Sequence, residues 1–226
     1  MKQAPRIILA LDVDNFAKAK YFVNKLYPEI KIFKVGLQLF TACGPEIIKF
    51  IRGKGARVFL DLKFNDIPNT MANAAKEALR QKVAMFTVHT LAGPTALKEV
   101  ATACKGSKTK VLGVTILTSI CGHFLKDLGI QRSLPAEVLY LARMAKRSGL
   151  DGVVCSVEEA GLLRRKLGRN FIIVTPGIRP LSKGADDQKR TASARQAIAA
   201  GSDFLVVGRP ILKAEDPLKA LDGLLI

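Results

Sequence analysis

Charged side chains stand at the ends of three short hydrophobic segments in the first third of the chain. Asp12 follows the segment RIILAL, Lys34 lies within IFKV, and Asp61 and Lys63 lie at the end of a segment that begins RVFL. Because residues two apart on a strand point to the same face, Asp61 and Lys63 are expected side by side, with Lys34 within reach. Opposite charges keep one another ionised where water is scarce. The spacing predicts an ammonium–carboxylate array.

This array has two interpretations at the level of spacing alone. In one it belongs to a functional site, since titratable groups with charged partners collect at such sites. In the other it is a structural cluster of ion pairs, and Asp66 only caps the helix that Pro68 opens.

The elements that must position these groups are eight short, β-branched segments, each followed by a helical pattern. Such strands predict a parallel sheet covered on both faces. Eight units of about 28 residues favour an α/β fold of the (β/α)₈ TIM-barrel type, a single catalytic domain over residues 1–226. A doubly wound sheet is the alternative, but no G-x-G-x-x-G follows the first strand. The predicted strands are Arg6–Leu11, Ile32–Val35, Arg57–Leu62, Met85–His89, Lys110–Thr115, Gly152–Cys155, Phe171–Val174 and Phe204–Val207.

Composition narrows the class of protein further. The chain has 226 residues, 49% of them hydrophobic, which excludes a disordered or fibrous protein. Its first apolar run, Ile7–Leu11, has five residues, too short for a signal sequence or a membrane span, so we expect a cytoplasmic protein without membrane contact. The four cysteines lack metal-site spacing, which predicts no metal.

The chain has 36 Lys and Arg against 19 Asp and Glu, which gives a formal net charge of +17 at pH 7. Basic residues are spread along the whole chain, and there are no Trp and only three Tyr to stack on bases. We therefore expect no nucleic-acid partner, and a small anionic substrate fits the charge equally well.

Residues 61–70 read DLKFNDIPNT and resemble the D-x-K-x-x-D-I-P-x-T signature of the orotidine 5′-phosphate decarboxylase family in its shorter bacterial form. The resemblance implies conversion of orotidine monophosphate to uridine monophosphate and CO₂ in pyrimidine synthesis, with no metal or organic cofactor. It also implies a homodimer with shared active sites. Matching segments in the family's order are LALDVDN, FKVGLQLF, TVHTLAGP, VTILTS, VTPGIR, ADDQKR and VVGRPI.

The resemblance assigns roles to individual residues. Lys63 stabilises and protonates the C6 carbanion, Asp61 and Asp66 hold its ammonium, and Lys34 extends the array. The partner subunit supplies Asp66, Ile67 and Thr70 to each site. The predicted substrate-binding residues are Asp12, Lys34, Ile67, Thr70, Thr118, Ser119, Pro176, Arg179, Gln188, Gly208 and Arg209.

The residue types after the last predicted strand are also suited to binding a phosphate. Gly208 and Arg209 open a helix after the last strand, where glycine permits close approach and arginine offers a planar fork. The loop Thr175–Lys189 is expected to close over the phosphate and bring Gln188 to it. Arg209 could instead be a surface arginine.

Three further residues carry weaker assignments. Thr118 and Ser119 are assigned to the pyrimidine amide edge, although a turn or capping hydroxyl explains them nearly as well. His89 is read as a packing residue with no catalytic step.

Two other functions remain open at this point. Magnesium-dependent sugar-phosphate decarboxylases and hexulose-phosphate synthases share an early D-x-K-x-x-D on the same strand, although Ile67-Pro68-Asn69-Thr70 favours the orotidylate enzyme. A non-catalytic binder of nucleotides or RNA would leave the charged array without a purpose.

Overall fold

The computed structural model describes residues 6–120, 122–179 and 192–225, and at its centre lies a closed barrel of eight parallel strands. Neighbours in sequence are neighbours in the barrel, and β1 closes it against β8, with Arg6 opposite Phe204. The predicted (β/α)₈ barrel is confirmed. The strands are β1 (Arg6–Ala10), β2 (Ile32–Gly36), β3 (Arg57–Phe64), β4 (Met85–His89), β5 (Lys110–Val114), β6 (Gly152–Val154), β7 (Ile172–Thr175) and β8 (Phe204–Val207).

Helices surround the barrel and bury one face each against it. Sequence patterns indicated most of them but not the helices Leu37–Cys43 and Gly122–Asp127, which have seven and six residues. The helices are α1 (Phe16–Leu26), α2 (Leu37–Cys43), α3 (Glu46–Gly53), α4 (Pro68–Arg80), α5 (Gly93–Ala103), α6 (Gly122–Asp127), α7 (Leu134–Arg147), α8 (Val157–Leu167), α9 (Ala194–Ala200), α10 (Arg209–Leu212) and α11 (Pro217–Leu225), with a 3₁₀ turn at Thr90–Ala92.

Local signals fix where several helices begin. The side chain of Asn15 accepts a hydrogen bond from the Lys18 amide at 2.9 Å and caps α1, and Ser156 caps α8 in the same way. Pro68 occupies the first turn of α4, where its missing N–H costs nothing. In the described part of the chain, no helix is long and apolar enough to cross a membrane.

The core has two layers, and their arrangement places the site. One layer lies between barrel and helices, and the other fills the barrel interior. The interior side chains come from alternate strand positions and are Ile8, Ala10, Ile32, Phe59, Met85, Leu112, Val174, Phe204 and Val206.

Two residues further along their strands, the same inward register reaches polar side chains and a glycine, at the carboxyl ends. These are Asp12, Lys34, Asp61, Thr87 and Gly208. The charged array is therefore the top layer of the barrel interior.

Candidate active site

A chain of ion pairs runs across three adjacent strands at the top of the barrel. Lys34 Nζ lies 3.0 Å from Asp12 Oδ1 and 3.5 Å from Asp61 Oδ2. Lys63 Nζ lies 3.0 Å from the other oxygen of Asp61, Oδ1. Asp61 thus stands between two ammonium groups, with only 14% of its side chain exposed, while Lys63 is 30% exposed and accessible from the mouth. The predicted array is present, and Lys34 belongs to it through the two carboxylates.

Burial and charge oppose each other in this array, and charge prevails. Burial alone would raise the pKa of Asp61, but the ammonium groups of Lys34 and Lys63 outweigh it and hold that pKa below its ordinary value. Burial likewise acts to lower the pKa of Lys34, but Asp61 and Asp12 raise it. Both groups are ionised at neutral pH, which gives the site a fixed arrangement of positive and negative charges.

The backbone at Lys63 departs from the extended strand that the sequence suggested. Lys63 has φ +52°, in the left-handed region that residues other than glycine and asparagine rarely adopt. The pairing of β3 with β4 shifts register here, from Leu60 opposite Phe86 to Phe64 opposite Val88. The contact between Asp61 and Lys63 therefore depends on this bulge as well as on the alternation of side chains along the strand.

Asp66, Ile67 and Thr70 are exposed, and none of them belongs to the described lining of the cavity. The Asp66 carboxylate is exposed and accepts a hydrogen bond from the Ile67 amide at 2.7 Å. Among the described residues it forms no ion pair with Lys63. Ile67 itself occupies the N-cap position of α4, so the part of the structural interpretation that made Asp66 the cap is wrong. Ile67 is 67% exposed, and Thr70 is exposed as well.

Arg209, which was assigned to the phosphate, lies at the same mouth as Arg179. Gly208 is the N-cap of α10, and Arg209 and Arg179 are half-buried residues that line the cavity together with Pro176. A short parallel bridge joins Ile178 to Ala192, and the Arg179 amide donates to the Ala192 carbonyl at 2.9 Å. The predicted residue Gln188 lies outside the described residues.

The remaining predicted residues divide between the cavity and its surroundings. Thr118 is half-buried and lines the cavity, whereas Ser119 is exposed and does not belong to the described lining. His89 accepts a hydrogen bond from the Leu91 amide at 3.3 Å and caps the 3₁₀ turn. Burial and the Lys63 ammonium lower the pKa of His89 below 6.5, which keeps it neutral at pH 7.

The array opens into a cavity of about 250 Å³ at the carboxyl ends of the strands. In barrels of this kind, catalytic groups gather at that face. Apolar side chains and backbone complete the cavity opposite the charges. Lining residues that the sequence analysis did not select are Ala10, Phe59, Val114, Ile116, Leu117, Val154, Cys155, Gly177 and Val206.

A larger groove of about 1330 Å³ lies at the opposite face of the barrel, where the strands begin. It is not the candidate site, because it lies at the end of the barrel away from the array, and two of its cations, Lys110 and Arg164, form separate ion pairs with Asp151 and Asp203. Lys and Arg at this face complement the negative carboxyl ends of the helices. Its basic residues are Arg57, Lys82, Lys108, Lys110, Arg164, Arg165 and Arg169.

One polar residue of the array escaped the sequence analysis. Thr87 is fully buried on β4, and its hydroxyl donates to Asp61 Oδ1 at 3.0 Å. The signal that could have found it is the inward alternation of β4, in which Thr87 lies between Met85 and His89.

The arrangement suits one kind of chemistry. An ammonium group, fixed by a buried carboxylate and open to a cavity, can stabilise a carbanion and give it a proton. Cations near the last two strands can hold a phosphate at the other end. Among the described residues, no group of three or more His, Cys, Asp or Glu is arranged to hold a metal ion.

Comparison with known proteins agrees with this geometry. A family model described as the orotidine 5′-phosphate decarboxylase / HUMPS family matches residues 5–224. The orotidine 5′-phosphate decarboxylase of Syntrophotalea carbinolica is 50% identical over 222 residues, which cover 95% of this chain and 91% of that protein. That of Geobacter metallireducens is 45% identical and covers 97% of this chain and 94% of its own.

The fold also matches that of a solved structure. The crystal structure of orotidine 5′-phosphate decarboxylase from Lactobacillus acidophilus superposes with a TM-score of 0.86 at 38% identity, with 97% of each chain covered. Residues 5–224, which the family model matches, include the three strands that carry the array. The chain belongs to the orotidine 5′-phosphate decarboxylase / HUMPS family.

Proposed function

We propose that this chain converts orotidine 5′-monophosphate to uridine 5′-monophosphate and CO₂, as a cytoplasmic enzyme of pyrimidine biosynthesis in which the whole chain forms one catalytic unit. The observation that carries this proposal is the contact of 3.0 Å between Lys63 Nζ and Asp61 Oδ1 at the mouth of the cavity. Relatives that are 44–50% identical over nearly the whole chain are orotidine 5′-phosphate decarboxylases, which supports the same reaction.

The chemical difficulty of this reaction lies at C6 of the pyrimidine. When the bond from C6 to the carboxylate breaks, CO₂ leaves and the electron pair stays on C6, in the plane of the ring. No adjacent π system accepts that pair. The Lys63 ammonium stabilises the developing charge and then transfers one proton to C6, which leaves a neutral amine that solvent protonates again.

Asp61 and Lys34 make this donor effective by fixing it before the substrate arrives. Asp61 bonds to both ammonium groups, so Lys63 need not reorganise when charge develops on C6. A carboxylate near the departing carboxylate also repels it. We assign the larger effect to preorganisation.

The phosphate end supplies binding energy far from the reacting carbon. Arg209 follows Gly208 at the start of α10, and Arg179, which follows the neighbouring strand β7, lines the same cavity. Binding energy at this end can be used to organise the site at C6. Gln188 is proposed to complete the phosphate contacts, and Thr118 and Ser119 to bond to the pyrimidine edge.

The exposed position of Asp66, Ile67 and Thr70 supports a homodimer with shared active sites. In a two-fold dimer, the start of α4 can reach over the partner's barrel, so that Asp66 approaches the partner's Lys63. An isoleucine that is 67% exposed at that point fits burial in a subunit contact.

A direct assay tests the proposed reaction. Purified protein is mixed with orotidine 5′-monophosphate in the presence of a chelator, and the fall in ultraviolet absorbance is followed. Turnover that persists with the chelator supports the proposal. Turnover that the chelator abolishes and magnesium restores would favour a metal-dependent relative, and no turnover under either condition would refute decarboxylation.

A further inference from the structure

Thr87 stands at the point where β3 and β4 lose their regular pairing. Leu60 lies opposite Phe86, and the next paired residues are Phe64 and Val88. Three residues of β3, Asp61 to Lys63, are therefore matched by Thr87 alone. A regular ladder cannot satisfy the backbone of such a bulge.

The hydroxyl of Thr87 replaces the missing ladder contact. The Lys63 amide donates to Thr87 Oγ1 at 2.9 Å, and the same hydroxyl donates to Asp61 Oδ1 at 3.0 Å. A hydroxyl has one donor and two acceptor sites, so both bonds form together. The side chain is fully buried, and loss of this hydroxyl would leave both partners short of a bond.

These two hydrogen bonds constrain Lys63, the proposed proton donor, at its backbone and, through Asp61, at its ammonium group. One holds the Lys63 backbone at its left-handed φ of +52°. The other orients the carboxylate oxygen that lies 3.0 Å from Lys63 Nζ. A strained backbone conformation persists only when its surroundings fix it.

We propose that Thr87 is a positioning residue that aims the Lys63 ammonium at C6 by bonding at once to the Lys63 backbone and to the Asp61 carboxylate. The inference rests on the proposed decarboxylase function. Thr87 lies behind Asp61 and Lys63, outside the described lining of the cavity. Its loss should therefore affect the chemical step more than substrate binding.

Substitution with valine removes the hydroxyl and keeps the branched shape, whereas serine keeps the hydroxyl and loses a methyl. We expect Thr87→Val to lower kcat roughly 10- to 100-fold, with KM within about threefold of wild type, because small misplacement of a reacting group costs this much. We expect Thr87→Ser to keep kcat within roughly threefold of wild type. The acid limb of the kcat profile of Thr87→Val should move to higher pH, because Asp61 loses a bond to its ionised form.

Thr90→Val is the matched control. Thr90 is also fully buried, and its hydroxyl donates to the Val114 carbonyl at 2.7 Å, away from the array. Both valine variants should lower the melting temperature by similar amounts, while Thr90→Val leaves kcat unchanged. If Thr87→Val does not fold, Thr87→Cys gives the same comparison, since a thiol is only a weak donor.

The outcomes separate the two proposals. No turnover by wild-type enzyme would refute the decarboxylase function itself. Active wild type, with Thr87→Val equal to it in kcat or with the serine and valine variants impaired alike, would overturn the role of the hydroxyl. A drop in Thr90→Val as large as that in Thr87→Val would also overturn it.

Discussion

Lys63 bears both parts of the proposed chemistry, since the same ammonium stabilises the carbanion and protonates it. We expect Lys63→Ala to remove nearly all turnover while the nucleotide still binds, because the phosphate contacts lie elsewhere. Steady-state rates and calorimetric titration with uridine monophosphate measure the two effects.

Lys49→Ala is the control for loss of a lysine, because Lys49 pairs only with Glu46 on the surface, with 62% of its side chain exposed. It should leave the rate unchanged. A rate for Lys63→Ala above roughly a hundredth of wild type would exclude Lys63 as the proton donor.

The charges of the array also predict how stability depends on pH. Asp61 has a lowered pKa, so its contribution is complete above the ordinary value of 3.8 and is lost as pH falls through the lowered one. Lys34 has a raised pKa, so its contribution is complete below 10.5 and is lost as pH rises through the raised one. The array thus stabilises the fold fully from about pH 4 to about pH 10.

Urea unfolding of wild type and Asp61→Asn across this range measures the effect. The difference in free energy of unfolding should be constant at neutral pH and shrink toward acid pH. A difference that stayed constant into strong acid would show that the Asp61 charge does not stabilise the fold.

At the scale of the elements, the junction between β2 and α2 leaves little room beside Lys34. A Cβ atom at Gly36 would lie 2.9 Å from Lys34 Nζ and 3.6 Å from Asp12 Oδ1. The flexible ammonium can move aside, so Gly36→Ala should fold but displace Lys34. We expect a fall in kcat of roughly tenfold, measured with the melting temperature.

Gly53→Ala provides the comparison, because nothing lies within 4 Å of its added Cβ and alanine favours a helix. It should keep full activity. Equal activity of the two variants would mean that the position of Lys34 does not matter for turnover.

The junction between β8 and α10 contains Arg209, which is proposed to bind the phosphate of the substrate. If Arg209 contributes binding energy that organises the closed site, Arg209→Ala should lower kcat/KM by two to three orders of magnitude, as a rough guess. Orotidine, which has no phosphate, should be little affected by the same change. Equal losses on both substrates would assign Arg209 to folding or to the chemical step.

At the scale of the whole molecule, the proposed dimer predicts rescue between two inactive chains. Lys63→Ala and Asp66→Ala chains are mixed, unfolded and refolded together. Each mixed dimer then has one site with both residues intact. Random pairing makes about half the dimers mixed, so activity should recover to roughly a quarter of wild type.

A second mixture supplies the control. Asp61 and Lys63 contact each other within one chain, so Lys63→Ala mixed with Asp61→Ala should show no recovery. Absence of recovery in the first mixture, with mixed dimers demonstrated, would place Asp66 in its own chain's site.

The sequence by itself determined the features that depend on local pattern. Eight β-branched segments separated by helical periods predicted the barrel, and inward alternation placed Asp12, Lys34 and Asp61 at its carboxyl end. The motif DLKFNDIPNT predicted the reaction and the family, because its residue types are those that the reaction needs.

Tertiary structure decided the contacts that depend on how distant segments pair. The bulge at Lys63 arises from the shifted register of β3 against β4, and the role of Thr87 follows from that register. Among the described residues Asp66 forms no ion pair with Lys63, and its carboxylate instead accepts a hydrogen bond from the Ile67 amide just before α4 begins. Side-chain alternation is a local property of each strand, whereas register and direction are set by neighbours that lie far apart in the chain.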